Sequence, residues 1–282
     1  YLARSSFVNS FTIGIIGAWG NGKSSLIRLI EKKIQERDLK NTIQLKFLPY
    51  LNHNESDIIS EFFKRLSEEL KKHSGKLSNH VLDYSDKLLK LYENKNIKDF
   101  FSKNTSASNI SSLETYNEIN SILKELDKKF IVFIDDLDRL SSNEVLQVLK
   151  LVRNTANFKN FIFIIALDKD YILNILMKNN DIADHAFVDK FFQLEVYLPE
   201  IEKKQLKQDF IDLLKKSDLK SKILFIKEVE EAIYNKYNLF DDYISNHRAV
   251  KRLINQLVFD YYSLPDKLDT NDLLNFTYLK MK

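Results

Sequence analysis

Cysteine is absent from this chain, and it holds only 3 Pro and 5 Gly in 282 residues. Without cysteine there is no disulfide framework and no thiolate metal site, which fits a reducing, cytoplasmic setting. No apolar run reaches the roughly 20 residues that span a bilayer, and no secretory signal is read, so no membrane association is expected. A strong charge of one sign is also missing. The formal net charge of +3 is too small to argue for nucleic acid or an anionic surface. The five histidines stand in no metal-binding spacing. Lysine-rich stretches such as KELDKK mix both signs and read as solvated helix faces. Aromatics are plentiful, but they fall at core-facing positions and suggest no stacking platform for bases. Hydrophobic content of 44% and charged content of 29% suit a soluble globular protein. The chain opens on Tyr1 rather than methionine and is expected to be cut from something longer.

What glycine there is stands together. Gly17, Gly20 and Gly22 crowd into FTIGIIGAWGNGKSS (residues 11–25). The isoleucine-rich run over 11–16 reads as a buried strand, and LIRLIEKKI, from Leu26, as a helix that follows at once. GxxxxGK[ST] between a strand and a helix is a phosphate-binding loop. Glycine lets backbone N–H groups close around phosphate oxygens where a Cβ would clash. The helix N-terminus adds partial positive charge. Lys23 can reach the β- and γ-phosphates, and the Ser24 hydroxyl can ligate Mg²⁺.

Taken in order, residues 1–10 lead into the first strand, as a surface segment or an arm near a bound base. TIQLKFL (42–48) reads as a second strand closed by Pro49. Residues 55–128 are mostly helical, with Ile58, Ile59, Phe62, Phe63 and Leu66 at helical spacing and another periodic run from Leu113 to Leu126. Between these, SKNTSASNISS (102–112) reads as a loop. FIVFIDDLDRL (130–140) is an apolar strand ending in acids, and Ser141 to Glu144 predicts a capping box that opens the next helix. FIFIIAL (161–167) and FQLEVYL (192–198) are the fourth and fifth strands. Beyond Pro199 the pattern is helical. The expected architecture is α/β: a five-stranded, mainly parallel sheet flanked by helices over 1–199, with a helical insertion at about 55–128. A C-terminal helical lid is expected over 200–282.

A strand ending in Asp places Asp135 to hold Mg²⁺, and Asp136 beside it to polarise an attacking water as general base. DDLD could instead merely satisfy a helix start, a reading the phosphate loop makes less attractive. Three carboxylates within four residues repel unless a cation or arginine compensates. LDKD (167–170) lacks the Asn or Thr of the element that usually reads guanine, so ATP is favoured over GTP.

GAWGNGKSS, with a tryptophan inside the loop, together with FIDDLDRL, resembles the KAP family of P-loop NTPases. FIIALDKDYI, DKFFQLEVYLP and NHRAVKRLIN follow in the expected order, so the resemblance runs from about residue 4 to 256. It implies ATP hydrolysis on a core in which one strand separates the P-loop strand from the acidic one. Many family members span a membrane through helices inserted between the two motifs; here the inserted helices are amphipathic, which places the chain with soluble, bacterial-looking members, some of them associated with phage exclusion. The resemblance implies that Gly17, Ala18, Trp19, Gly20, Asn21, Gly22, Lys23, Ser24 and Ser25 hold the triphosphate, with Asp135 on the metal and Asp136 on the water. Asp168 falls where related ATPases keep a polar γ-phosphate sensor, or it caps the following helix. Arg248, one turn from Arg252, is a second sensor or part of a solvated basic face. Arg153 and Lys190 stand where ring-forming relatives place cations that enter a neighbour's site, or else Arg153 answers a helix dipole.

These readings predict a Mg·ATP-driven conformational or assembly switch, acting as a homo-oligomer or on a partner effector, with an anti-phage role suggested by family analogy. The competing expectations are a nucleotide-gated scaffold with little turnover and a nucleic-acid-dependent motor, the latter disfavoured by the near-neutral charge.

Overall fold

The computed structural model of the protein describes residues 9–37, 41–51, 55–93, 107–126, 128–180, 186–235, 238–264 and 268–281. Five strands form one sheet: β1 (Phe11–Ile16), β2 (Thr42–Phe47), β3 (Lys129–Ile134), β4 (Phe161–Leu167) and β5 (Leu194–Tyr197), in spatial order β2-β3-β4-β1-β5. All neighbours run parallel. Parallel strands need crossovers, and these are helical, so both faces of the central strands are covered. β4 is accordingly buried at all seven positions, which is why FIFIIAL is an unbroken apolar run rather than an alternating one. β5 is an edge strand and shorter than the 192–198 expected from sequence; Leu194, Val196 and Tyr197 are exposed on it.

The α/β expectation therefore holds, including the strand between β1 and β3: it is β4. Register fixes the geometry of the rim. Ile16 pairs with both Leu167 and Tyr197, and Ile134 pairs with Ile165, so β1, β3 and β4 end together.

Two compact units divide the chain. The first comprises residues up to Gly17 and Lys23–Tyr197. It carries α1 (Lys23–Glu36), α2 (Glu55–Lys71), α3 (Gly75–Glu93), α4 (Ala107–Leu126), α5 (Ser142–Lys150), α6 (Lys169–Asn180) and the short α7 (Ala186–Asp189). Its core joins the sheet to Phe62, Phe63 and Leu66 of α2, Leu77 and Val81 of α3, and Val145 and Val148 of α5. A chain of rings links Phe63, Tyr84, Phe158 and Phe161 across this core. The second unit comprises Ala18–Gly22 and the chain from Leu198 onward. It holds α8 (Lys203–Leu214), α9 (Ile223–Tyr234), α10 (Phe240–Tyr243), α11 (His247–Ser263) and α12 (Thr270–Leu279), packed on a core of their own that includes Phe210, Ile233, Leu253, Leu257 and Tyr278.

Three local readings change. Helix α1 begins at Lys23 rather than Leu26, because the P-loop's last residues are already helical. Residues 107–112, read from composition as loop, belong to α4. Serine and asparagine cost only about 0.5 kcal/mol each in a helix, less than α4 gains by burying Ile119 and Leu123 further on. Residues 102–106 of that predicted loop lie outside the described residues, as do residues 1–8 of the lead-in. Ser10 is not a surface residue: it is buried, and its N–H and hydroxyl both donate to Asn157 Oδ1, at 2.9 and 2.8 Å.

Candidate functional site

The rim where β1, β3 and β4 end carries Gly17, Asp135 and Asp168 directly after these strands. Gly17 follows β1, and its N–H donates to the Leu167 carbonyl at the end of β4, 3.3 Å away. Asp135 follows β3 on the other flank of β4. Adjacent strands lie about 4.8 Å apart, so the P-loop strand and the acidic strand are separated by one strand's width. Lys23 opens α1, and its ammonium donates to the Gly17 carbonyl at 2.8 Å, which folds the side chain back along the loop. Ser24 and Ser25 follow in the first turn of α1, where free backbone N–H groups favour anions.

Two loop glycines take the left-handed region, Gly20 with φ 92° and Gly22 with φ 89°. They differ in surroundings. A Cβ on Gly22 would meet open space, whereas one on Gly20 would lie 2.6 Å from Asn246 Cγ. Gly22 is thus required by backbone conformation alone, and Gly20 by conformation and space together. Within the second unit, Asn246 caps α11, accepting from Ala249 N–H at 3.0 Å, and its Nδ2 donates to the Trp19 carbonyl at 3.4 Å. The Arg248 guanidinium lies 3.9 Å from the centroid of the Trp19 ring, a cation–π contact. The Asn21 N–H closes the turn onto the Ala18 carbonyl at 3.2 Å.

At the acidic end, Asp136 is itself left-handed, with φ 61° and ψ 36°, a conformation that Asp tolerates better than most residues. Its N–H donates to Asp135 Oδ1 at 2.9 Å. Burial pushes the Asp136 carboxyl above its ordinary range, and the charges of Asp135 and Asp138 push the same way, while Arg139 opposes them. Arg139 Nη2 sits 3.2 Å from Asp136 Oδ2, and its guanidinium also lies over the Tyr50 ring, 4.7 Å from the centroid. Arg139 is therefore the compensating cation that three crowded carboxylates require. Ser141 and Glu144 form the predicted capping box immediately beyond.

The remaining expected residues have plainer partners. Asp168 caps α6, accepting from Tyr171 N–H at 3.2 Å. Arg153 lies exposed in a π-turn after α5, over the Phe191 ring at 5.4 Å, and Lys190 is exposed. Beside Asp168, Lys169 bonds Asp189 and Glu195 at 2.6 and 2.8 Å. Burial works against its charge, but its hydrogen bonds to Asp189, Glu195 and Tyr197 outweigh this and hold its pKa above the ordinary 10.5. Sequence reading gave no role to Asn246, Arg139 or Lys169. An Asn before a periodic helix signals a cap, but no local pattern could join Asn246 to a glycine loop far away in the chain.

A five-stranded parallel sheet of this order, with a glycine loop running from its P-loop strand into a helix, defines the P-loop NTPase class, a nucleotide-binding fold. More narrowly, the chain belongs to the KAP family: the KAP family P-loop domain matches residues 1–264. The Phage T7 exclusion protein of Escherichia coli (strain K12) is 26% identical over 314 residues, covering 94% of this chain and 40% of that protein. The chain thus spans two fifths of that relative's length. Among solved structures, it is similar to the ORC1 protein of Aeropyrum pernix in complex with DNA, at 9% identity and a TM-score of 0.46, covering 99% of this chain and 61% of that one. The ORC2 protein of the same organism matches at 14% identity and a TM-score of 0.40, covering 99% and 66%.

Proposed function

We propose that this protein binds and hydrolyses Mg·ATP to drive a conformational or assembly switch. The observation that carries the proposal is the placement of the glycine loop and the acidic strand end on the two flanks of β4, with Gly17 tied to Leu167. The residues present suit a metal-bound triphosphate. Gly20 and Gly22 give the loop the backbone turns that aim successive N–H groups inward, and Lys23 offers a cation. Ser24 and Asp135 would hold Mg²⁺, which when bound neutralises charge on the phosphates. Among the described residues no group of three or more His, Asp or Glu could hold a metal ion, so phosphate oxygens would complete the shell. Asp136 orients water and accepts its proton. Asp168 and Arg248 are assigned to sensing the γ-phosphate, and Arg153 or Lys190 to the site of a neighbouring copy, each against the cap, stacking or solvent-facing duty described above.

The likeness to the Phage T7 exclusion protein of Escherichia coli supports a place in phage exclusion. Among the described residues no helix is long and apolar enough to cross a membrane. A second reading, a nucleotide-gated scaffold with little turnover, is favoured by one observation: Asp136 is already engaged by Arg139. The test is ATP turnover by the wild type, Lys23→Ala and Asp136→Asn, with sizing in a slowly hydrolysed ATP analogue. Turnover abolished in both variants supports the switch. A wild type that assembles without turnover supports the scaffold, and equal turnover in all three dismisses the mechanism.

A further inference from the structure

The glycine loop's tip is gripped from outside by the start of α11, and nothing in the chemistry of phosphate binding requires that grip. Three contacts make it. The Arg248 guanidinium carbon lies over the Trp19 ring, 3.9 Å from its centroid. Asn246 Nδ2 donates to the Trp19 carbonyl at 3.4 Å. The Asn246 side chain also fills the space over Gly20, where even a Cβ would be 2.6 Å away. Asn246 is at the same time the N-cap of α11 through Ala249 N–H. One side chain therefore answers to both the φ of Gly20 and the first turn of α11.

We propose that Trp19, Asn246 and Arg248 form a latch that couples the conformation of the phosphate loop to α11, so that closing the loop on a polyphosphate and freeing the start of α11 are one event. The inference rests on the nucleotide-binding reading above and adds a regulatory element to it. Asn246 occupies the space over Gly20 and donates to the Trp19 carbonyl, so a change of the loop at Trp19 and Gly20 disturbs Asn246, and Asn246 cannot move without loosening its cap. The stacked guanidinium supplies the bias. A cation over an exposed indole is held weakly compared with a cation beside a polyphosphate, so a bound nucleotide draws Arg248 off Trp19 and the latch opens. Asn246 acts here through the loop, as a positioning residue, while Arg248 exchanges the indole for the phosphates. Because the cost of opening the latch opposes binding, the apparent affinity is that of the open state multiplied by the fraction of molecules already open.

Trp19 is the single tryptophan of the chain, so its emission reports the latch directly. The experiment titrates the full chain with Mg·ADP, which lacks the γ-phosphate, following Trp19 emission alongside calorimetry. In the wild type, emission should change with the calorimetric midpoint. In Arg248→Ala, emission without nucleotide should already resemble the bound value, and Arg248→Lys should retain part of the wild-type signal. Asn246→Ser keeps a capping oxygen but withdraws from Trp19 and Gly20; it should bind Mg·ADP several-fold tighter, with a smaller emission change. Calorimetric binding with emission that does not respond, or Arg248→Ala responding like the wild type, overturns the latch alone. Flat calorimetry in the wild type overturns the nucleotide-binding reading and the latch with it.

Discussion

Arg139 decides how Asp136 stands. The left-handed turn at Asp136 points its carboxylate into company with Asp135 and Asp138, and only the guanidinium at 3.2 Å draws it the other way. On the ATPase reading proposed above, in which Asp136 is the base, Arg139→Gln should lower ATP turnover by about tenfold by misplacing that carboxylate and leave calorimetric nucleotide affinity unchanged; on the scaffold reading turnover should not fall. Turnover at the wild-type rate would show that Arg139 only stacks on Tyr50. The loop glycines make a second residue-level contrast. Gly22→Ala should cost about 1 kcal/mol through its positive φ alone, whereas Gly20→Ala adds a collision with Asn246. The Gly20 variant should show the lower urea midpoint of the two, and the reverse order would contradict the packing described at Asn246.

Elements were legible where their pattern was periodic or compositionally pure. The β1, β3 and β4 runs are apolar because they are buried on both faces, and Ser141 with Glu144 announced the start of α5 through two hydrogen bonds that lie close in sequence. The P-loop and the acidic strand end carried the candidate site for the same reason: both are local motifs. The first six residues of α4 were missed because serine and asparagine suggest loop when tertiary burial further along the helix overrides them. Arg139's grip on Asp136 was legible as a need for compensation but not as a residue. The link between α6 and β5 was not legible at all, because Lys169, Asp189 and Glu195 meet only once the chain is folded. Lys169→Gln should destabilise the protein by about 1–2 kcal/mol, by leaving the half-buried Glu195 without its charged donor. The folded ammonium's pKa is raised above its ordinary 10.5, so its contribution is fully present below that value and is lost only as pH rises past it. The difference in urea midpoint between variant and wild type should stay constant between about pH 7 and pH 9.5; a difference that shrinks within that window would contradict the sign.

At the scale of the molecule, the two cores share no residue, and the second is pinned by a fully buried carboxylate. Asp260 accepts from Lys280, Thr277 and Gln256 at 2.6, 3.0 and 2.9 Å, tying α12 to α11. Lys280 reaches solvent, so removing the Asp260 carboxylate falls mainly on the Thr277 and Gln256 donors it leaves behind, at about 1–3 kcal/mol. Calorimetric melting of Asp260→Ala should accordingly shift the transition belonging to the helical unit and leave that of the sheet in place. A single transition moving as a whole would contradict separate cores. The strand order carries a consequence for synthesis. β1 is made first, yet both of its edges are paired by strands from much later in the chain, residues 161–167 and 194–197. A nascent chain therefore holds β1 without its neighbours until those later strands have been made. The glycine turn tied to Leu167 can take shape only once β4 has been made, well after the turn's own residues.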